Sequence, residues 1–202
     1  MSDGAAVVLY EDSRAPTNRF GPHEFVMACV ADRFVGTPRH DLERIVACMP
    51  MNGAAKVIKA VRFGHQRLAR SGESLIVVLD SDRIARHLGL EGGACKARLR
   101  AGLISGIESS AVTPQCVFLE RNTEDLVRIV AAVIDCAPGH IDEACDRKNL
   151  NARDTILTRA AKVGAITGAS DRSAILEKHP STARLVRLIV EAVQVRRGSP
   201  KP

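Results

Sequence analysis

Residues 74–82 read SLIVVLDSD, in which five consecutive apolar residues are followed by Asp80, Ser81 and Asp82. A short, unbroken apolar run of this kind is typical of a strand that is buried on both faces of a parallel sheet. In open α/β sheets, ligands bind at the carboxyl ends of the strands. Asp80 and Asp82 therefore stand where a functional site is expected, and the twofold alternation of an extended chain turns both carboxylates the same way.

Three other segments are predicted to be strands of the same sheet. The apolar run Ala5–Tyr10 ends at Glu11, and the segments Arg44–Met49 and Gln115–Leu119 have strand character. Helical patterns separate these segments and follow the last of them. This alternation predicts an α/β fold, in which a small parallel four-stranded sheet is flanked by helices in Rossmann-like layers.

The chain after Pro138 shows helical patterns alone, which we predict at about residues 152–163, 170–177 and 181–195. We therefore expect two domains. Residues 1–137 are predicted to form the α/β domain, and residues 138–202 an all-helical C-terminal extension packed on it.

The composition is that of a globular protein, because 46% of the 202 residues are hydrophobic and 26% are charged. Neither a membrane-spanning run nor a secretory signal is seen, and the six scattered cysteines include no CxxC pair, so we expect a reduced, cytoplasmic protein. The net charge of +6 permits contact with phosphates. Since only 3% of the residues are aromatic, we expect such contact to involve the nucleic-acid backbone rather than stacked bases.

Acidic residues follow three of the four predicted strands: Glu11 after the first, Asp80 and Asp82 after the third, and Glu120 and Glu124 after the fourth. Carboxylates that meet at one edge of a sheet repel each other unless a positive charge lies between them. Hard oxygen ligands suit Mg²⁺ or Mn²⁺, so we predict a divalent cation at this edge. A simpler interpretation also fits, in which these residues are solvated loop acids and a helix N-cap.

Basic residues form one side of the helix that we predict after its N-cap, Asn52. Val57, Val61 and Leu68 would lie on the buried side of this helix. The four basic residues on the opposite side are Lys56, Lys59, Arg67 and Arg70. They would form a phosphate-binding track or, in the simpler interpretation, an ordinary solvated helix face.

These motifs resemble the Toprim domain, which topoisomerases, primases and nucleases of the overcoming-lysogenization-defect family share. Val7–Glu11 matches the first Toprim motif and Val77–Asp82 the second, although Asp12 stands where the family usually has glycine. The segment Val117–Val127 is similar to the late acidic segment of compact bacterial Toprim proteins found in phage-defence settings. The C-terminal elements Lys148–Leu150 and His179–Ser181 loosely resemble the helical part of those proteins.

The resemblance implies a nuclease that hydrolyses phosphodiester bonds in DNA or RNA with Mg²⁺ or Mn²⁺. In this interpretation Asp80 and Asp82 hold one ion, and Glu124 or Glu120 completes its shell or holds a second ion. Glu11 either ligates the metal or takes a proton from the attacking water. Proteins of this kind commonly work with an ATPase, so the expected partners are nucleic acid and an ATPase chain, with a homo-oligomer left open and no membrane involved.

The expected phosphate contacts are six basic residues: Lys56, Lys59, Arg67, Arg70, Arg83 and Lys148. Arg83 directly follows the Asp80–Asp82 motif. It would therefore either contact the scissile phosphate or pair with Asp82 in a structural ion pair.

Two alternative functions stay open at this stage. The first is a non-catalytic module of the same fold that binds an ATPase or a nucleic acid. The second is a phosphatase of the haloacid-dehalogenase type with Asp80 as nucleophile, although that motif normally follows the first strand of the chain and Glu11 would have no role. The metal-site interpretation requires that Glu11 approaches the aspartates and that no Lys or Arg side chain permanently fills the space between them.

Overall fold

The structure is a computed structural model that describes residues 4–14, 20–63, 69, 72–90, 95–105, 113–119, 122–163 and 169–198. Of Asp82, Val163 and residues 169–171 it describes the backbone alone. The strands are β1 (Ala6–Tyr10), β2 (Val46–Pro50), β3 (Ser74–Asp80) and β4 (Gln115–Leu119). The helices are α1 (Gly21–Ala31), α2 (Arg39–Ile45), α3 (Ala54–Phe63), α4 (Ser81–His87), α5 (Lys96–Ile104), α6 (Thr123–Val133), α7 (Pro138–Cys145), α8 (Leu150–Val163), α9 (Ala169–Lys178) and α10 (Pro180–Gly198).

The four strands form one all-parallel sheet in the order β2-β1-β3-β4. Because β1 and β3 lie in the middle, the side chains of Ala6–Tyr10 and Leu75–Leu79 are buried on both faces, which is why these two runs are apolar. In this register Val8 lies opposite Cys48 and Ile76, and Val78 lies opposite Val117. The chain thus has the predicted α/β fold, with a four-stranded parallel sheet flanked by helices and further helices toward the C-terminus.

Contacts between residues divide the chain into two compact units. The first comprises Met1–Ser13, Glu43–Glu120 and Leu188–Pro202, and the second comprises Arg14–Leu42 and Arg121–Arg187. In this grouping α1 and α6 belong with the later helices. The boundary that we predicted at residue 137 concerns folding domains and stays a prediction.

The core of the first unit lies between the sheet and the helices α3, α4 and α5. Alternate residues of β1 and β3, such as Leu9 and Val77, pack in one cluster with Val57 of α3, Ile84 of α4 and Leu103 of α5. All five side chains are fully buried. Burial of this apolar surface anchors the three helices to the sheet, so they are held in fixed positions relative to the strand ends.

The second unit is a group of packed helices in which α1 lies against α8. Gly21 makes this approach possible, because a Cβ atom at this position would lie 2.7 Å from the Cα of Asp154. At the other end of α1, Arg172 donates two hydrogen bonds to the carboxylate of Asp32, at 2.5 and 2.6 Å. This paired contact ties α9 to the end of α1.

Some local predictions need correction. The helix α2 was not predicted, because Leu42 is the single buried residue that it contributes to the core. The N-cap of α6 is Asn122, whose side chain accepts a hydrogen bond from Asp125 N–H at 3.1 Å. Asn52 lies in a left-handed turn (φ 57°) two residues ahead of α3, and its side chain accepts a hydrogen bond from Ser13 Oγ at 2.5 Å.

Two further observations concern the hydropathy of the helices and the cysteine residues. Among the helices that the structure describes, none is long and apolar enough to cross a membrane. All six cysteines are free thiols. Cys29 and Cys116 are buried, as expected for small core residues, and burial raises the pKa of the Cys29 thiol to about 12.

We expect Gly21→Ala to destabilise the protein by about 1–3 kcal/mol, because its methyl group would push α8 away from α1. Urea denaturation followed by circular dichroism measures this change. Gly139→Ala in α7 is the matched control, since nothing lies within 4 Å of a Cβ atom at that position. A Gly21→Ala variant as stable as the Gly139→Ala variant would contradict the close approach of the two helices.

Candidate functional site

The carboxylate of Glu11 lies at the carboxyl end of the sheet, directly after β1. The parallel pairing of β1 with β3 continues one residue beyond the strand, where Glu11 N–H donates to the carbonyl oxygen of Val78 at 3.1 Å. In return, Asp80 N–H donates to Glu11 Oε2 at 2.9 Å. Two residues that are 69 positions apart in the sequence are thereby held side by side.

Arg83, in the first turn of α4, lies beside both of these acids. Its Nη1 is 3.5 Å from Glu11 Oε1, and its Nε is 3.9 Å from Asp80 Oδ2. The Arg83 side chain is about half exposed, at 51%, whereas that of Glu11 is only 6% exposed. A guanidinium group therefore supplies positive charge between the two carboxylates, through contacts that are long for an ion pair.

The burial of Glu11 raises its pKa above the ordinary value for a glutamate. The hydrogen bond from Asp80 N–H and the charge of Arg83 lower this pKa, while the neighbouring charges of Asp80 and Asp12 raise it. Burial is the largest of these effects. The contacts that the structure provides thus compensate only part of the cost of a buried negative charge.

The turn before α3 also contacts this end of β1. Met51 N–H donates to the Tyr10 carbonyl at 2.8 Å, and Gly53 N–H donates to the Glu11 carbonyl at 2.7 Å. Gly53 has φ of 121°, a conformation that side-chain-bearing residues rarely adopt. The turn therefore starts α3 next to Glu11, while α4 starts next to Asp80.

The carboxylate oxygens of Glu11 and Asp80 are of the type that binds a hard divalent cation. Mg²⁺ is commonly held by one or two carboxylates, with waters and substrate phosphate in its other positions. Within the described part of the chain, however, no three His, Cys, Asp or Glu side chains form a group that could hold a metal ion. A cation bound here would replace Arg83 between the two acids, and the long contacts and exposure of Arg83 make that exchange inexpensive.

The other predicted metal ligands are not joined to this pair by the structure. The side chain of Asp82 and the whole of Glu120 lie outside the described residues. Glu124 lies in the first turn of α6, in the second unit. The roles of these three residues as ligands stay predictions.

The predicted phosphate contacts are distributed over both units. Lys56 and Lys59 are exposed on α3, opposite its buried residues Val57 and Val61. Lys148 is exposed in the second unit and has a left-handed backbone (φ 52°). The two remaining residues of the track, Arg67 and Arg70, lie outside the described residues.

The sequence analysis did not anticipate that Arg83 pairs with Glu11 and Asp80. One signal was present, because Asp80 and Arg83 are three residues apart at the start of a helix, a spacing that brings side chains together. The contact between Arg83 and Glu11 depends on the pairing of β1 with β3. That contact cannot be derived from local spacing.

No family model, no curated protein and no solved structure matches the chain. The class of the protein is therefore that defined by its own fold, an α/β protein with a parallel sheet and an acidic pair at the carboxyl end of β1 and β3.

We expect Glu11→Gln to remove the pH dependence that this residue contributes to stability. Because the pKa of Glu11 is raised in the folded protein, the folded state holds its proton to a higher pH than the unfolded chain does. The contribution of Glu11 to stability is therefore present below its unfolded pKa and lost as the pH rises through its folded pKa. The free energy of unfolding of the wild type, relative to that of Glu11→Gln, should fall between pH 4 and pH 7.

Urea denaturation in EDTA across this pH range measures the difference, with the exposed Glu177→Gln as control. If the wild type instead gains stability relative to Glu11→Gln as the pH rises, the Arg83 ion pair outweighs burial, and our account of this carboxylate is wrong.

Proposed function

We propose that this chain is a Mg²⁺- or Mn²⁺-dependent nuclease of the Toprim type, which hydrolyses phosphodiester bonds in DNA or RNA. The observation that carries this proposal is the hydrogen bond from Asp80 N–H to the buried carboxylate of Glu11, since it joins the two motifs that resemble the Toprim family. The strand-end position of both acids is where α/β proteins bind their ligands.

In this proposal Asp80, Asp82 and Glu120 would hold the cation. The bound ion supplies positive charge for the phosphate and makes its water more acidic. Glu11, beside Asp80, would either ligate the same cation or accept the proton of the attacking water. The water oxygen forms a bond to phosphorus as the bond to the leaving oxygen breaks.

Arg83 has a second task in this proposal. With a cation held by the acids, the Arg83 guanidinium would be able to leave Glu11 and Asp80 and contact the phosphate. Because Arg83 is half exposed, this movement needs no rearrangement of the core. Its planar group can then donate two hydrogen bonds to phosphate oxygens.

A second candidate function is a non-catalytic module of the same fold that binds an ATPase or a nucleic acid. The position of Arg83 favours this candidate, because an arginine that already neutralises the acids leaves less need for a metal. For a phosphatase of the haloacid-dehalogenase type, by contrast, nothing in the contacts of Glu11 supplies a role. For the nuclease we further propose a cytoplasmic location and an ATPase partner.

The metal is tested first by thermal unfolding. We expect near-saturating Mn²⁺ to raise the melting temperature of the wild type by roughly 5–10 °C, the shift that a ligand at about a hundred times its Kd gives a chain of this size. Asp80→Asn should abolish the rise, and purified Asp80→Asn should cleave nucleic acid at least about 100-fold more slowly. Glu177→Gln, which removes an exposed acid in the second unit, should behave like the wild type.

Cleavage by Asp80→Asn at the wild-type rate, or the absence of any Mn²⁺ effect on the wild type, would refute the proposed nuclease.

The exchange at Arg83 is tested with Arg83→Gln, which removes the competing charge. We expect this variant to bind Mn²⁺ roughly three- to tenfold more tightly, because a neighbouring positive charge no longer opposes the ion. Isothermal titration calorimetry measures the affinity, and Arg86→Gln on the same helix is the control. If Arg83→Gln lowers stability in EDTA and still binds no Mn²⁺, the non-catalytic module is favoured instead.

A further inference from the structure

The three helices that cover one face of the sheet carry most of the positive charge of the first unit. Within the bounds of α3, α4 and α5 there are eight Lys or Arg residues and a single acid, Asp82. The eight are Lys56, Lys59, Arg62, Arg83, Arg86, Lys96, Arg98 and Arg100. The net charge of this layer therefore exceeds that of the whole chain, which is +6.

Most of these charges lie on the outside of the layer. The inner sides of α3 and α5 hold buried residues such as Val57, Val61 and Leu103. Lys56 and Lys59 on α3 and Arg98 and Arg100 on α5 are exposed. The four side chains thus face away from the core, where they can meet a large ligand.

The two helices that carry these four residues form one continuous surface. They pack against each other, and Arg62 of α3 donates a hydrogen bond to the Gly102 carbonyl of α5 at 2.7 Å. Gly102 has little space for a side chain, because a Cβ atom there would lie 3.0 Å from Leu88 Cδ1. The positions of α3 and α5 relative to each other are therefore fixed by packing and by a hydrogen bond.

The placement of these charges is unfavourable for the helices themselves. The first turn of a helix stabilises acidic residues and disfavours basic ones, because the helix dipole is positive there. The first turns of α3 and α5 nevertheless contain no acid, while Lys56, Lys96 and Arg98 lie in them. Local rules broken in this way are expected at functional sites, where charge serves a ligand and not the fold.

We infer that the outer surface of α3 and α5 binds the phosphodiester backbone of a nucleic acid, and that α5 contributes Arg98 and Arg100 to this contact. A nucleic acid presents the closely spaced negative charges that such a surface matches. An acidic protein would match the charge as well, but the helices α3 and α4 also begin beside Glu11 and Asp80. The choice of nucleic acid thus rests on the proposed function of that pair.

The test measures binding of a fluorescein-labelled 20-base-pair DNA duplex, and of an RNA duplex of the same sequence, at several salt concentrations in EDTA. The test variant is Arg98→Gln with Arg100→Gln. The matched control is Arg147→Gln with Arg159→Gln, which removes two exposed arginines from the second unit. Thermal unfolding verifies that both variants are folded.

We expect the α5 variant to bind both duplexes roughly tenfold more weakly at 50 mM salt. The slope of its plot of log affinity against log salt should be smaller in magnitude by about 2, because each lost phosphate contact reduces this slope by about 1. The control should stay within about twofold of the wild type. A loss for one duplex alone would assign the surface to that nucleic acid.

Three results would overturn the inference: unchanged binding and slope in the α5 variant, an equal loss in the control, or competition by polyglutamate as effective as that by unlabelled duplex at the same charge concentration.

Because binding is measured without metal, the two proposals fail separately. An α5 variant that binds normally while Mn²⁺ still stabilises the wild type refutes this surface and not the nuclease. Weakened binding by that variant, with no Mn²⁺ effect on any protein, refutes the nuclease and not the surface.

Discussion

The parallel pairing of β1 with β3 is the constraint on which the candidate site depends. It buries both strands on both faces, and it continues past them until Glu11 and Asp80 exchange contacts across the strand ends. A buried carboxylate in this position is costly, so the surroundings of Glu11 must compensate for its charge. The Asp80 amide and Arg83 compensate for part of this charge. The pKa of Glu11 is still raised, because burial is the larger effect.

The same constraint connects the acidic pair with the basic helices. Both α3 and α4 begin immediately after chain segments that contact Glu11 or Asp80, and both are held by the apolar cluster beneath them. Negative charge is therefore concentrated at the strand ends and positive charge on the adjoining helices. In the proposed function, the acids at the strand ends would serve a metal ion and the basic helices would serve the phosphodiester backbone.

The fold could be predicted from the sequence because its strands are strongly apolar and because α3 and α6 are strongly amphipathic. The segment Gln115–Leu119 was predicted with the same bounds as β4. The helix α2 was not predicted, because Leu42 is its single buried residue and its sequence therefore shows no apolar pattern. In the site, the approach of Glu11 to Asp80 followed from the rule that parallel strands end at one edge. The role of Arg83 did not follow, because its contact with Glu11 joins residues that are 72 positions apart.

The helix α1 has a consequence for the synthesis of the chain. Eight of its eleven residues are buried, and it packs against α8, which begins at Leu150. At ribosomal rates of about 5–20 residues per second, α1 emerges roughly 6–25 s before its partner exists. During that interval the apolar side chains of α1 remain exposed, because the helix that buries them in the folded chain has not yet been synthesised.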